Sequence, residues 1–79
     1  MWKKGRIEIE GVTYNYLLKV LEEPSKYGID RGKISKLTII QGGALCSGET
    51  VVRYDREWVI KPTHPYHRAV LKRILDEFN

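Results

Sequence analysis

The sequence predicts an α+β fold: a four- to five-stranded antiparallel β-meander with one C-terminal α-helix packed on one face. Three observations lead there. Apolar and polar residues alternate with period two in a series of short runs through the first three quarters of the chain. Gly, Pro, Asp and Ser cluster between those runs, where turns need them. Only the last run recurs at helical spacing.

The elements follow in order. In "KKGRIEIE" Ile7 and Ile9 point one way and Arg6, Glu8 and Glu10 the other, the pattern of a half-buried strand. Glu10-Gly11 breaks the run at a hairpin position. "VTYNYLLKVLEE" fits a helical stripe through Tyr14, Leu17, Leu18 and Leu21. Its β-branched and aromatic opening favours a second strand, with Tyr14, Tyr16, Leu18 and Val20 on one face. Pro24 ends it, because proline cannot donate to a ladder. "KISKLTIIQ" is the third strand, with Leu37 and Ile39 on one face and Ile34, Lys36, Thr38 and Ile40 on the other. "GGALCSGE" reads as a loop or ragged hairpin end. "TVVRYDR" is the fourth strand, "DREW" a tight turn, and "WVIK" a short fifth strand closed by Pro62. Thr63 is the expected N-cap of the helix and Pro65 suits its first turn. Val70, Leu71, Ile74, Leu75 and Phe78 make its apolar stripe.

Between the second and third strands lies "PSKYGIDRGK", Pro24 to Lys33, rich in turn residues. Its glycines are expected to supply positive φ. Tyr27 and Ile29 are expected to anchor it under the sheet edge. Lys26, Arg31 and Lys33 are left exposed, close to Arg56 if the Tyr54–Trp58 turn lies at the same end.

Bulk properties narrow the function. Seventy-nine residues make one domain, residues 1–79, with one small core. At 42% hydrophobic and 30% charged, the chain has a globular composition and not a disordered one. No apolar run is long enough to span a membrane, and no apolar segment follows the basic N-terminus as in a secretory signal. A cytoplasmic location is therefore expected. Cys46 is the only cysteine, so an internal disulfide and a CxxC metal clip are both excluded. It reads as a small, partly buried side chain, since "GALCSGE" offers no base to activate a thiolate.

Catalytic signatures are missing: no GxSxG, no HExxH, no Walker loop and no GxGxxG between a strand and a helix. Glu22 and Glu23 are adjacent and would point to opposite faces of a strand, which is wrong for acid–base partnership. His64 and His67 stand one helical turn apart, the spacing of a metal pair, but a third ligand would have to come from Cys46, Asp55 or Glu57 by folding alone. No enzyme, cofactor or metal is expected. The net charge of +4 and the basic residues beside aromatics (Lys3 and Lys4 with Trp2, Lys26 with Tyr27, Arg53 and Arg56 with Tyr54 and Trp58) fit single-strand nucleic-acid binders. The same neighbours also mark protein-interaction hot spots. A helix-free sheet face carrying Leu17, Leu21, Ile34, Ile40 and Val51 would suit a homodimer or a protein partner.

Three segments carry a family likeness: "EPSKYGI" at Glu23–Ile29, "ISKL" at Ile34–Leu37 and "YDREW" at Tyr54–Trp58. With them the chain resembles a small uncharacterised domain family of phages and prophages of Gram-positive bacteria. The likeness runs over almost the whole chain. Glu57 stands where that family has Gly, and the stretch 41–49 is longer than usual. The resemblance implies context and no chemistry: a phage accessory protein in the cytoplasm of the infected host. The expected function is thus a non-enzymatic protein-interaction module with a host or phage protein as partner, and a nucleic-acid binder is the alternative. Lys26, Tyr27, Arg31, Lys33, Arg56 and Trp58 are the candidate binding residues.

Overall fold

The computed structural model describes residues 1–42 and 48–79. Strands β1 (Trp2–Ile9), β2 (Val12–Val20), β3 (Ile34–Gln41), β4 (Glu49–Asp55) and β5 (Trp58–Ile60) pair antiparallel in chain order, and helix α1 (Pro65–Phe78) follows them. The expected α+β meander is the observed fold. Residues 43–47 of the expected 42–49 loop, Cys46 among them, lie outside the described residues.

The β1–β2 hairpin turns on Glu10 and Gly11, both at positive φ (50° and 78°). Two such residues between paired Ile9 and Val12 make the primed turn whose twist matches that of the strands. From there the register is unbroken to Trp2↔Lys19, so parity sets every side chain's face. Ile7 and Ile9 of β1 share a face with Tyr14, Tyr16 and Leu18 of β2, Leu37 and Ile39 of β3, and Val52 and Tyr54 of β4. Helix α1 covers this face. Val70 and Ile74 are fully buried in the cluster, with Leu71, Leu75 and Phe78 packed around them. Phe78 meets the Tyr16 ring edge-on at 6.1 Å and His67 meets Tyr14 at 5.6 Å, so the helix runs along β2. Burial raises the phenol pKa values of Tyr14, Tyr16 and Tyr54 above the ordinary range.

Gly5 lies directly across from Tyr16, whose ring occupies the space a Cβ would fill. The aromatic thus covers the gap that glycine leaves in an edge strand.

Four local expectations are corrected. A register shift between Lys19 and Val20 brings Ile34 opposite Val20, and Ile34 is buried on the helix side. Alternation alone had put it on the free face; the bulge reverses it. The helix N-cap is His64, not Thr63: its backbone is extended and its Nδ1 accepts from the Tyr66 N–H at 3.0 Å. The central segment forms one 3-10 turn, Ile29–Arg31, and its positive φ values fall on Asp30 (53°) and Arg31 (58°). Gly28 and Gly32 have ordinary negative φ. They are small because a Cβ on Gly28 would strike the Gly32 carbonyl, and one on Gly32 the Asn79 side chain. Finally, Ile29 anchors the segment as expected, fully buried, but Tyr27 is 53% exposed.

Asn79 ties the segment to the helix. Its Nδ2 donates to the Ile29 carbonyl at 3.0 Å and its Oδ1 accepts from the Ile34 N–H at 3.2 Å.

Candidate binding surface

The sheet face away from α1 is the larger feature, and the register builds it row by row. One row runs Trp2, Lys19, Lys36, Asp55 across β1 to β4. The next runs Lys4, Leu17, Thr38, Arg53, Ile60 across all five strands. A third runs Arg6, Asn15, Ile40, Thr50. Neighbouring strands are about 4.8 Å apart, so the cations of a row lie within reach of one extended polymer.

Charge separates the two faces. Lys4, Arg6, Lys19, Lys36 and Arg53 share the free face with two carboxylates, Glu8 and Asp55. Three of the chain's four net positive charges therefore sit there. One ion pair offsets them, Lys36 Nζ to Asp55 Oδ1 at 3.8 Å. Both partners are more than a third exposed, so the pair adds little and leaves the field positive. Trp2, 54% exposed, stands at the edge of this face and lines one shallow hollow with Leu17, Lys36, Thr38, Arg53 and Asp55.

This face differs from the apolar one expected. Leu17 and Ile40 do lie on it, but Ile34 is in the core and Val51 packs against it. Leu21 is half-buried one residue beyond the end of β2. Of the five apolar residues expected there, Leu17 and Ile40 are the two that remain on this face.

The six residues singled out in the sequence divide. Tyr27 and Arg56 come together: they line one hollow with Lys19, Lys36 and Ser25, so the central segment and the β4–β5 turn do share an end of the sheet. Arg56 has φ 62°, and its N–H donates to the Ser35 carbonyl at 3.1 Å. The strained position of the turn is thus Arg56 and not Glu57. Lys26 holds its Nζ 5.1 Å from the Tyr27 ring centroid, beside this hollow. The Tyr54 hydroxyl donates to the Tyr27 carbonyl at 2.8 Å and so pins the segment to β4. Arg31 is exposed on the 3-10 turn, and Lys33 is half-buried with its carbonyl accepting from Leu21 N–H at 2.8 Å. Neither lines the hollow. Trp58 is on the other side: it packs edge-on against Tyr54 at 5.0 Å within the helix-covered core.

Sequence reasoning missed Trp2, Lys4, Lys19, Lys36 and Arg53 as one group. Each occupies the polar position of an alternating strand, which is a signal. Only the cross-strand register makes them neighbours.

The histidines do approach each other, with ring centroids 5.1 Å apart. The His64 Nδ1 lone pair is used by the helix cap, and His67 Nε2 donates to Gln41 Oε1 at 3.3 Å. Desolvation, and then the neighbouring His64, push the His67 pKa below the ordinary imidazole value. Among the described residues no three His, Cys, Asp or Glu side chains group as metal ligands, and no helix is long and apolar enough to cross a membrane.

A family model matches residues 1–79, the full sequence. The chain belongs to the family described as a domain of unknown function, DUF7678. No curated protein and no solved structure matches it.

Proposed function

We propose that this DUF7678 chain is a non-enzymatic binding module whose helix-free sheet face takes a single-stranded nucleic acid. One observation carries the reading: most of the net positive charge lies on that one face, with an exposed tryptophan at its edge. A polyanion loses counterions to such a face, and unpaired bases stack on an aromatic ring without needing a defined sequence. A single strand suits an open sheet face, which has no projecting helix to enter a groove. The hollow at Tyr27 and Arg56 continues the face through Lys19 and Lys36.

A second reading rests on that hollow alone. Tyr and Arg are the residue types that anchor protein partners, and Lys26, Tyr27 and Arg56 stand together at one end. A host or phage protein bound there would make the chain a protein-interaction module. In either case the phage setting implied by the sequence resemblance puts the work in the host cytoplasm.

The two tryptophans provide the test. In a nitrogen-15 spectrum the indole N–H of Trp2 reports the free face and that of Trp58 the covered one. Added single-stranded oligonucleotide is expected to shift the Trp2 signal and leave that of Trp58 in place. Equal movement of both, or of neither at low salt, contradicts the reading.

A further inference from the structure

We infer that the β1 edge is a self-association surface, on which a second copy of this chain pairs antiparallel through β1 with Ile7 opposite Ile7. The inference is independent of what the sheet face binds.

The two edges of the sheet differ. β5 has three residues and is closed by Pro62. Shortness and proline are both devices that blunt an edge. β1 has eight residues, contains no proline, keeps an unbroken register with β2, and has β2 as its one neighbour among the described residues. Met1 and Val20 exchange both backbone hydrogen bonds at 2.8 Å. In an antiparallel ladder hydrogen-bonded and non-bonded pairs alternate, so Lys3, Gly5, Ile7 and Ile9 point their N–H and C=O groups at β2. The groups of Trp2, Lys4, Arg6 and Glu8 therefore face outward, ready for another strand.

Charge selects the partner and the register. β1 and its turn are basic at the start (Lys3, Lys4, Arg6) and acidic at the end (Glu8, Glu10). Such a strand is complementary to its own reverse. For two outward edges to hydrogen-bond, even positions must meet even positions. Centring the pair on Gly5 sets Lys4 against Arg6. Centring on Arg6 sets Arg6 against itself, and centring on Glu8 does the same for Glu8. Centring on Ile7 leaves no like-charge pair. It sets Arg6 against Glu8 and Lys4 against Glu10, each twice by symmetry, with Gly5 opposite Ile9 on the helix side. Opposite charges directly across a ladder stabilise it and like charges destabilise it. The arrangement is isologous, so it closes as a two-fold dimer and does not propagate. Because even residues meet even residues, the two free faces merge into one side of a ten-strand sheet.

Sedimentation velocity over a wide concentration range tests this. The wild-type chain is expected to pass from monomer to dimer as concentration rises. Arg6→Glu and Glu8→Arg, each changing an exposed side chain, should each weaken the dimer roughly tenfold or more, and the double swap should return it to within about threefold of wild type. The register is checked in a Cys46→Ser background. Ile7→Cys then places two thiols on a non-bonded pair with Cα atoms about 4.5 Å apart, within disulfide range, and mild oxidant should give a covalent dimer. A wild-type chain that stays monomeric, a dimer indifferent to the single swaps, or a double swap that fails to rescue overturns the inference. A dimer that Ile7→Cys cannot cross-link overturns the register.

Discussion

Asn79→Ala is the sharpest test of how the central segment is held. Asn79 makes two side-chain hydrogen bonds, to the carbonyl before the 3-10 turn closes and to the amide that begins β3. Both bonds are partly buried. Alanine keeps the backbone N–H bond to the Leu75 carbonyl, so the helix end itself is not altered. Each lost bond has a net worth of about 1 kcal/mol; the Ile29 carbonyl keeps the Gly32 N–H while the Ile34 N–H is left without its partner, so the expected cost is about 2 kcal/mol. A chain of this length has roughly 4–12 kcal/mol in total. The loss should therefore lower the thermal midpoint by about 8–16 °C. Urea unfolding followed by circular dichroism gives the free energy, and hydrogen exchange at Ile34 gives the local effect. A change under about 0.5 kcal/mol, with Ile34 protection intact, would refute the idea that this side chain locks the segment.

Other expectations follow from the same geometry. Gly5→Ala puts a Cβ into the Tyr16 ring, which must move against Phe78, and should cost about 1–3 kcal/mol by chemical denaturation. Gly11→Ala meets no side chain, so its cost should be the backbone strain of φ 78° alone, about 1–2 kcal/mol. With its pKa lowered by burial, His67 is held neutral, while in the unfolded chain it protonates near pH 6.5. The unfolded state thus binds more protons, and stability should fall as pH drops from about 6.5 toward the lowered folded value. His67→Gln should flatten that part of the profile, measured as urea midpoints from pH 7 to 5.

Much of this architecture is legible in the residues. Alternation in "RIEIE" and "VTYNYLLKV", the Glu10-Gly11 turn and the stripe from Val70 to Phe78 each carry a local physical cause that tertiary contacts do not override. What alternation cannot reveal is where a ladder slips. Ile34 changed faces because of a bulge beside Val20, and that single event moved it from the free face into the core. Gly28 and Gly32 looked like positive-φ residues, yet close approach to a carbonyl and to Asn79 explains them, and Asn79 is 45 positions from its partner Ile34. The binding surface was legible only in part. Tyr27 and Arg56 were identified from basic-aromatic neighbours in sequence and do share a hollow. Trp58 has the same neighbours but the opposite parity to Arg53, and it faces the core. Lys4, Lys19, Lys36 and Arg53 come from four strands, and nothing local to any one of them signals the others.

The most direct test of the central claim is the salt dependence of single-stranded oligonucleotide binding, read by fluorescence anisotropy. Each phosphate engaged contributes about −0.7 to the slope of log K against log salt concentration, so full use of the five free-face cations gives about −3.5. Arg53→Glu and Lys19→Glu on the free face should weaken binding and flatten that slope. Lys72→Glu and Arg73→Glu on the exposed side of α1 should change neither beyond a small non-specific drop. Binding that is absent at low salt, or that depends on the helix cations as much as on Lys19 and Arg53, would contradict the assignment of the sheet face.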